Sequence, residues 1–173
     1  MGKRRKARES ALQILFQLEF NATDPEDVIR GFWEHQKAGD DVKEYAVWLV
    51  RGIREGQEEV DGAIQAASEH WRIPRMAVVD RNILRIAVFE MLRSKTLVPA
   101  IVINEAIEIA KRYSGEEASL FINGILDAVR KTLGTGTKAP RDAEAAKDKK
   151  EEGTHGRKRR KAGEPGARDG QGT

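Results

Sequence analysis

The sequence predicts an all-α protein on three observations. Apolar residues recur at helical spacing through the first 134 residues, strand-like alternation with hairpin turns is missing, and the breaks between apolar runs carry helix-end residues. The first helix begins inside or just after a basic run, with Ala7, Ala11, Leu12, Ile14, Leu15 and Leu18 on one stripe. Thr23 and Asp24 before Pro25 then supply a cap and a proline at the first helical position of a second helix. That helix carries Val28, Ile29, Phe32 and Trp33 and is expected to end near Gly39. A third follows Asp40 and Asp41 through Val42, Tyr45, Ala46, Leu49 and Ile53, and a fourth follows Gly56 through Val60, Ile64, Ala67 and Trp71, closed by Pro74.

The fifth segment, Met76 to Leu92, is apolar around most of its circumference, the pattern of a helix at the centre of a bundle. Pro99 opens a sixth helix with Val102, Ile103, Ala106, Ile107 and Ala110 inward. Ser114 with Glu117 three residues on reads as a capping box for a seventh, which runs through Leu120, Phe121, Ile125 and Val129 to about Leu133 before Gly134 stops it. Seven helices with short links make a bundle, with two sub-bundles meeting across the fifth helix.

After Leu133 no Val, Ile, Leu, Met, Phe, Tyr or Trp occurs. Residues 135–173 therefore cannot bury enough apolar surface to offset chain entropy, and a disordered charged tail is expected behind a helical domain of residues 1–134. That domain is long enough to bury a core unaided. The formal net charge of +3 is segregated: the tail carries +4, Lys3, Arg4, Arg5, Lys6 and Arg8 carry +5, and residues 9–134 carry −6. A basic arm on a mildly acidic body favours a polyanion at one edge.

The chain has no cysteine, which removes disulfides, thiolate metal sites and a cysteine nucleophile and suits a cytoplasmic setting. No apolar run reaches the roughly 18 residues of a membrane span. The segment after the basic start, with Glu9, Gln13, Gln17 and Glu19, is amphipathic, unlike a signal peptide. Catalytic signals are thin. His35, His70 and His155 lack metal-ligand spacing, and Gly134, Gly136 and Lys138 lack the spacing and preceding strand of a phosphate loop. Neither an enzyme nor a bound metal or cofactor is expected.

The arm supplies the functional signal, because dense Lys and Arg neutralise phosphates and an aromatic, Phe16, follows on the same helix. Composition alone divides the arm evenly between nucleic-acid binding and solubility, and it favours core packing for Phe16. Two further segments mix charge into apolar runs. Asp80 and Arg81 read as a capping or surface pair and Arg85 with Glu90 as an internal ion pair, with a partner-facing strip as the alternative. For Asn104, Glu105 and Asn123, hydrogen bonds to helix ends inside the bundle are favoured over contact roles.

Four segments also carry a resemblance. They are Arg4-Arg5-Lys6-Ala7-Arg8-Glu9 with Ala11 and Leu12; Asp80-Arg81-Asn82-Ile83-Leu84-Arg85-Ile86-Ala87 with Glu90; Pro99 and Ile103-Asn104-Glu105-Ala106 with Lys111; and Phe121-Ile122-Asn123-Gly124-Ile125-Leu126-Asp127. In this order and at these separations, over about residues 3–133, they resemble the NusB family of bacterial transcription antitermination factors. The resemblance implies a seven-helix fold of two small bundles and a role without catalysis. It also implies binding of the boxA element of nascent ribosomal RNA together with NusE, a small-subunit ribosomal protein, in a complex with NusA, NusG and RNA polymerase. Some members act as homodimers, so a homodimer is the alternative assembly.

Carried onto this sequence, the resemblance gives RNA contacts to Lys3, Arg4, Arg5, Lys6 and Arg8, places Phe16, Glu117 and Phe121 at or near the RNA and partner surface, and assigns Asp80, with Arg81, to NusE. Phe16 stands where some relatives have tyrosine, which keeps stacking and loses a hydroxyl. The tail lies outside the family core; its Arg157 to Lys161 cluster adds sequence-independent RNA affinity or is merely solvated. Three other classes compete: an accessory domain of an RNA cytosine methyltransferase, which needs a catalytic domain and cysteines missing here; a protein-only helical module; and a DNA-binding helix-turn-helix, which needs a basic recognition helix.

Overall fold

The computed structural model describes residues 2–134. The expected tail of residues 135–173, with His155 and the Arg157 to Lys161 cluster, lies outside them. The described residues form seven α-helices: α1 (Lys3–Phe20), α2 (Pro25–His35), α3 (Asp40–Glu55), α4 (Gln57–Ala67), α5 (Val78–Arg93), α6 (Pro99–Tyr113) and α7 (Glu116–Gly134). A single 3-10 turn, Ile73–Arg75, sits at Pro74 between α4 and α5. Helix α1 packs most extensively on α3, and α6 on α7, while α5 touches α1, α3, α4, α6 and α7. The two small bundles, α1–α3 and α4–α7, thus share α5 as their common wall. Nine consecutive α5 residues, Asn82 to Glu90, are buried, which is why that segment is apolar around its circumference.

Local chemistry sets several ends. The Asp24 carboxylate accepts from the Glu26 amide at 2.8 Å with Pro25 at the first helical position, as its sequence predicts. Between α6 and α7 the chain reverses through Gly115, whose φ of 110° is the left-handed conformation that glycine adopts without steric cost. At Gly52 on α3 a Cβ would lie 2.1 Å from Cζ of the buried Phe89 ring, so only glycine lets α3 approach α5 this closely.

Several local expectations are corrected. Helix α2 ends at His35 instead of Gly39, and Trp71 lies beyond α4 and is exposed. Ser114 makes no capping box: it ends α6, and its hydroxyl donates to Asp80 while α7 starts at Glu116. Along α7 the inner face is Ser119, Ile122, Ile125, Leu126 and Val129, leaving Leu120 and Leu133 exposed. In α6, Ile109 is fully buried and Ile107 only partly so.

The charged residues of α5 pair differently too. Arg85 grips Asp61 of α4 through two bonds of 2.8 Å and Glu19 of α1 at 2.8 Å, so it is not the partner of Glu90. Arg81 bonds Glu19 at 3.0 Å and the Ile73 carbonyl at 3.3 Å, and does not pair with Asp80. Asn104 and Asn123 are exposed, and Glu105 bonds arginines instead of helix ends.

Candidate nucleic-acid interface

The basic arm forms the first two turns of α1, starting from Gly2, whose carbonyl accepts the Lys6 amide at 3.1 Å. No acidic side chain occupies that first turn. Cations are therefore gathered at the positive end of a helix dipole, an arrangement that costs stability unless anions answer it. Two inward anions do so. Arg8, only 3% exposed, meets Glu90, 0% exposed, through Nε bonds of 2.8 and 3.0 Å, with Glu105 at 3.5 Å. The Tyr45 hydroxyl donates to the same Glu90 carboxylate. Burial and that carboxylate push the Tyr45 hydroxyl up to about 12. Arg5 bonds Glu105 in bidentate fashion, 2.8 Å on each arm, and holds the Glu105 carboxyl below its ordinary range.

The +5 arm therefore does not face solvent as a unit. Arg8 is a structural tie between α1 and α5, and Arg5 is half committed to α6. Lys3, Arg4 and Lys6 point outward: Lys3 against Asp41 at 2.7 Å in an exposed pair, Arg4 over the Tyr45 ring at 4.1 Å, and Lys6 toward the Lys37 carbonyl at 3.5 Å.

Farther along α1, Phe16 is not packed in the core, as its place beside the apolar stripe suggests, but stands at the surface. It is 41% exposed and packs on the still more exposed Phe20 of the next turn, centroids 5.1 Å apart. Gln13 reaches the Tyr113 hydroxyl at 3.4 Å, Tyr113 adjoins Ser114, Ser114 holds Asp80, and Arg81 beside it bonds Glu19, the neighbour of Phe20. Glu117 is exposed on the first turn of α7, and one turn on the half-buried Phe121 meets Trp71 edge to face at 5.8 Å.

Phe16 and Phe20 thus pack together near the end of α1, Asp80 and Arg81 stand at the start of α5, Glu117 and Phe121 lie on α7, and the outward cations sit at the start of α1. Sequence reasoning missed Phe20, Trp71 and Tyr113. Phe20 was readable, since residues four apart on a helix share a face.

Among the described residues no cluster of three or more His, Cys, Asp or Glu is placed to hold a metal ion. No helix among them is long and apolar enough to cross a membrane.

The model of the NusB family matches residues 5–131. The chain belongs to the NusB family. It is 45% identical over 133 residues to the transcription antitermination protein NusB of Anaeromyxobacter dehalogenans, covering 76% of this chain and 93% of that one. It is 47% identical over 131 residues to the NusB of Bdellovibrio bacteriovorus, covering 74% and 95%. Among solved structures, T. maritima NusB superposes with a TM-score of 0.69 at 40% identity, over 74% of this chain and 90% of that one. A crystal structure of the antitermination factors NusB and NusE in complex with double-stranded RNA gives a TM-score of 0.67 at 32% identity, over 76% and 98%. Transcription antitermination is accordingly the activity of this NusB family member, and the seven-helix NusB fold expected from the sequence is the one found.

Proposed function

We propose that the chain binds the boxA element of nascent ribosomal RNA together with NusE and acts with NusA, NusG and RNA polymerase against premature termination, in the cytoplasm. One observation supports the RNA half above the others: a single helix, α1, presents three outward cations at its start and an open aromatic pair near its end. Lys6 and Phe16 are separated by about 15 Å of helix rise. Cations there meet phosphates, and exposed rings stack unpaired bases. A solved relative holding both NusE and RNA supports the partner half.

Within this reading Lys3, Arg4 and Lys6 make the phosphate contacts, Arg5 joins them when it releases Glu105, and Arg8 positions the helix from inside. Phe16 and Phe20 serve as stacking rings, with Glu117 and Phe121 beside the strand. Asp80 and Arg81 face NusE; an Asp80→Lys variant that still pairs normally with NusE removes that assignment. A homodimer, the other assembly the resemblance allows, is separated from the NusE pair by sedimentation.

The test is RNA affinity across a salt series. Replacing Lys3, Arg4 and Lys6 by Ala should flatten the slope of log K against log salt by about 0.7 unit per lost contact on a single strand. Phe16→Leu should weaken binding by about 1–3 kcal/mol and leave the slope unchanged. A triple variant that matches the parent at every salt concentration overturns the arm's role.

A further inference from the structure

Two aromatic side chains, Tyr45 and Trp48, lie next to the arm, and a third, Phe89, backs them from the core. The Tyr45 ring has the Arg4 guanidinium at 4.1 Å and stacks on Trp48 with centroids 5.2 Å apart at 30°. Trp48 in turn tilts against the buried Phe89 at 4.9 Å, yet remains 38% exposed. A cleft of about 540 Å³, lined by Lys3, Arg4, Asp41, Glu44, Tyr45 and Trp48, opens beside the pile. Trp48 and Glu44 also border a larger cleft of about 900 Å³, with Lys43 on its wall.

The pile is fixed from beneath, because the Tyr45 hydroxyl donates to Glu90, itself tied to Arg8. A ligand entering the cleft therefore meets rings already in place. The Lys3–Asp41 pair at its mouth is solvent-exposed, the kind of ion pair that contributes little and yields to a phosphate.

We propose that this cleft is a nucleotide subsite, in which Trp48 stacks one unpaired base of the RNA strand held by the arm while Lys3 and Arg4 contact the phosphate beside it. An indole and a guanidinium converging on one cleft match the two halves of a nucleotide, and the stacking is tolerant of base identity. The occupant is RNA and not a peptide because the cleft shares its cations with the arm; the subsite rests on the RNA-binding reading above. It extends the footprint across α3 and gives the arm a sequence-independent grip on nucleotides flanking the recognised element.

Photocrosslinking of the full chain to single-stranded boxA RNA, substituted with thiouridine in its flanks, tests this directly. Crosslinks are expected on the peptide carrying Trp48. Trp48→Leu should weaken binding about fivefold or more with an unchanged salt slope, since a ring is lost and no charge. Trp48→Phe should recover most of that loss, and helical circular dichroism separates misfolding from lost stacking. If the parent binds no RNA, both readings fall. Should the parent bind RNA while Trp48 neither crosslinks nor matters on replacement, the subsite alone falls. Protection of Trp48 from acrylamide quenching by NusE and not by RNA would make the cleft a protein interface and equally overturn it.

Discussion

Replacing Glu90 by Leu should be among the costliest single changes in this domain. The Glu90 carboxylate is wholly buried and accepts from Arg8 Nε at 2.8 Å and from the Tyr45 hydroxyl. Its loss leaves the Arg8 guanidinium, 4% exposed at the side chain, with only Glu105 at 3.5 Å. Removing one partner of a buried pair costs about 3–5 kcal/mol. At roughly 4 °C per kcal/mol for a domain of this size, Tm should fall by about 15 °C.

That is a large share of the 5–15 kcal/mol typical of a folded domain. Arg8→Leu should cost a similar amount, whereas the double variant should recover about 2 kcal/mol or more, because an apolar pair in that volume carries no desolvation penalty. Urea and thermal unfolding followed by circular dichroism complete the cycle. A Glu90→Leu variant within 1 kcal/mol of the parent, or strictly additive singles, refutes the reasoning. Tyr45 bears on the same site: with its hydroxyl raised to about 12, its contribution is intact below the unfolded value near 10 and is lost as pH climbs through the folded one.

Gly52→Ala drives a methyl group to 2.1 Å from the buried Phe89 ring. A cost of about 1–3 kcal/mol is expected in urea titrations, and an unchanged midpoint would show that α3 and α5 can part freely. In acid, Arg5 keeps the Glu105 carboxyl ionised below its ordinary range, so the pair's contribution is present above the unfolded value near 4.3 and disappears as pH falls through the folded value. The urea midpoint should therefore drop below about pH 4.5, less steeply in a Glu105→Gln variant; identical acid profiles would show the pair to be inert.

The helices were legible because burial of α5 on every side and of α1 on one side leaves a spacing that needs no tertiary knowledge. The fate of individual charges was not. Arg8 and Lys6 look alike in a basic run, and what separates them is Glu90, 82 residues away. The Arg85–Glu90 pairing was excludable on geometry, since residues five apart point about 140° apart around a helix. Phe16 borders the apolar stripe of α1, and sequence cannot show that no helix covers that flank. Along α7 the four-residue spacing Phe121, Ile125, Val129 and Leu133 drifts off the buried face at its two ends, since that face follows Ser119, Ile122, Ile125, Leu126 and Val129.

The proposed function has this surface recognise RNA as a pair with NusE. Fluorescence anisotropy of a labelled boxA RNA and a scrambled control, titrated with the full chain alone and with equimolar NusE at fixed salt, measures it. Modest binding alone and much tighter, boxA-selective binding with NusE are predicted; equal affinity for both RNAs, with NusE making no difference, would contradict the account.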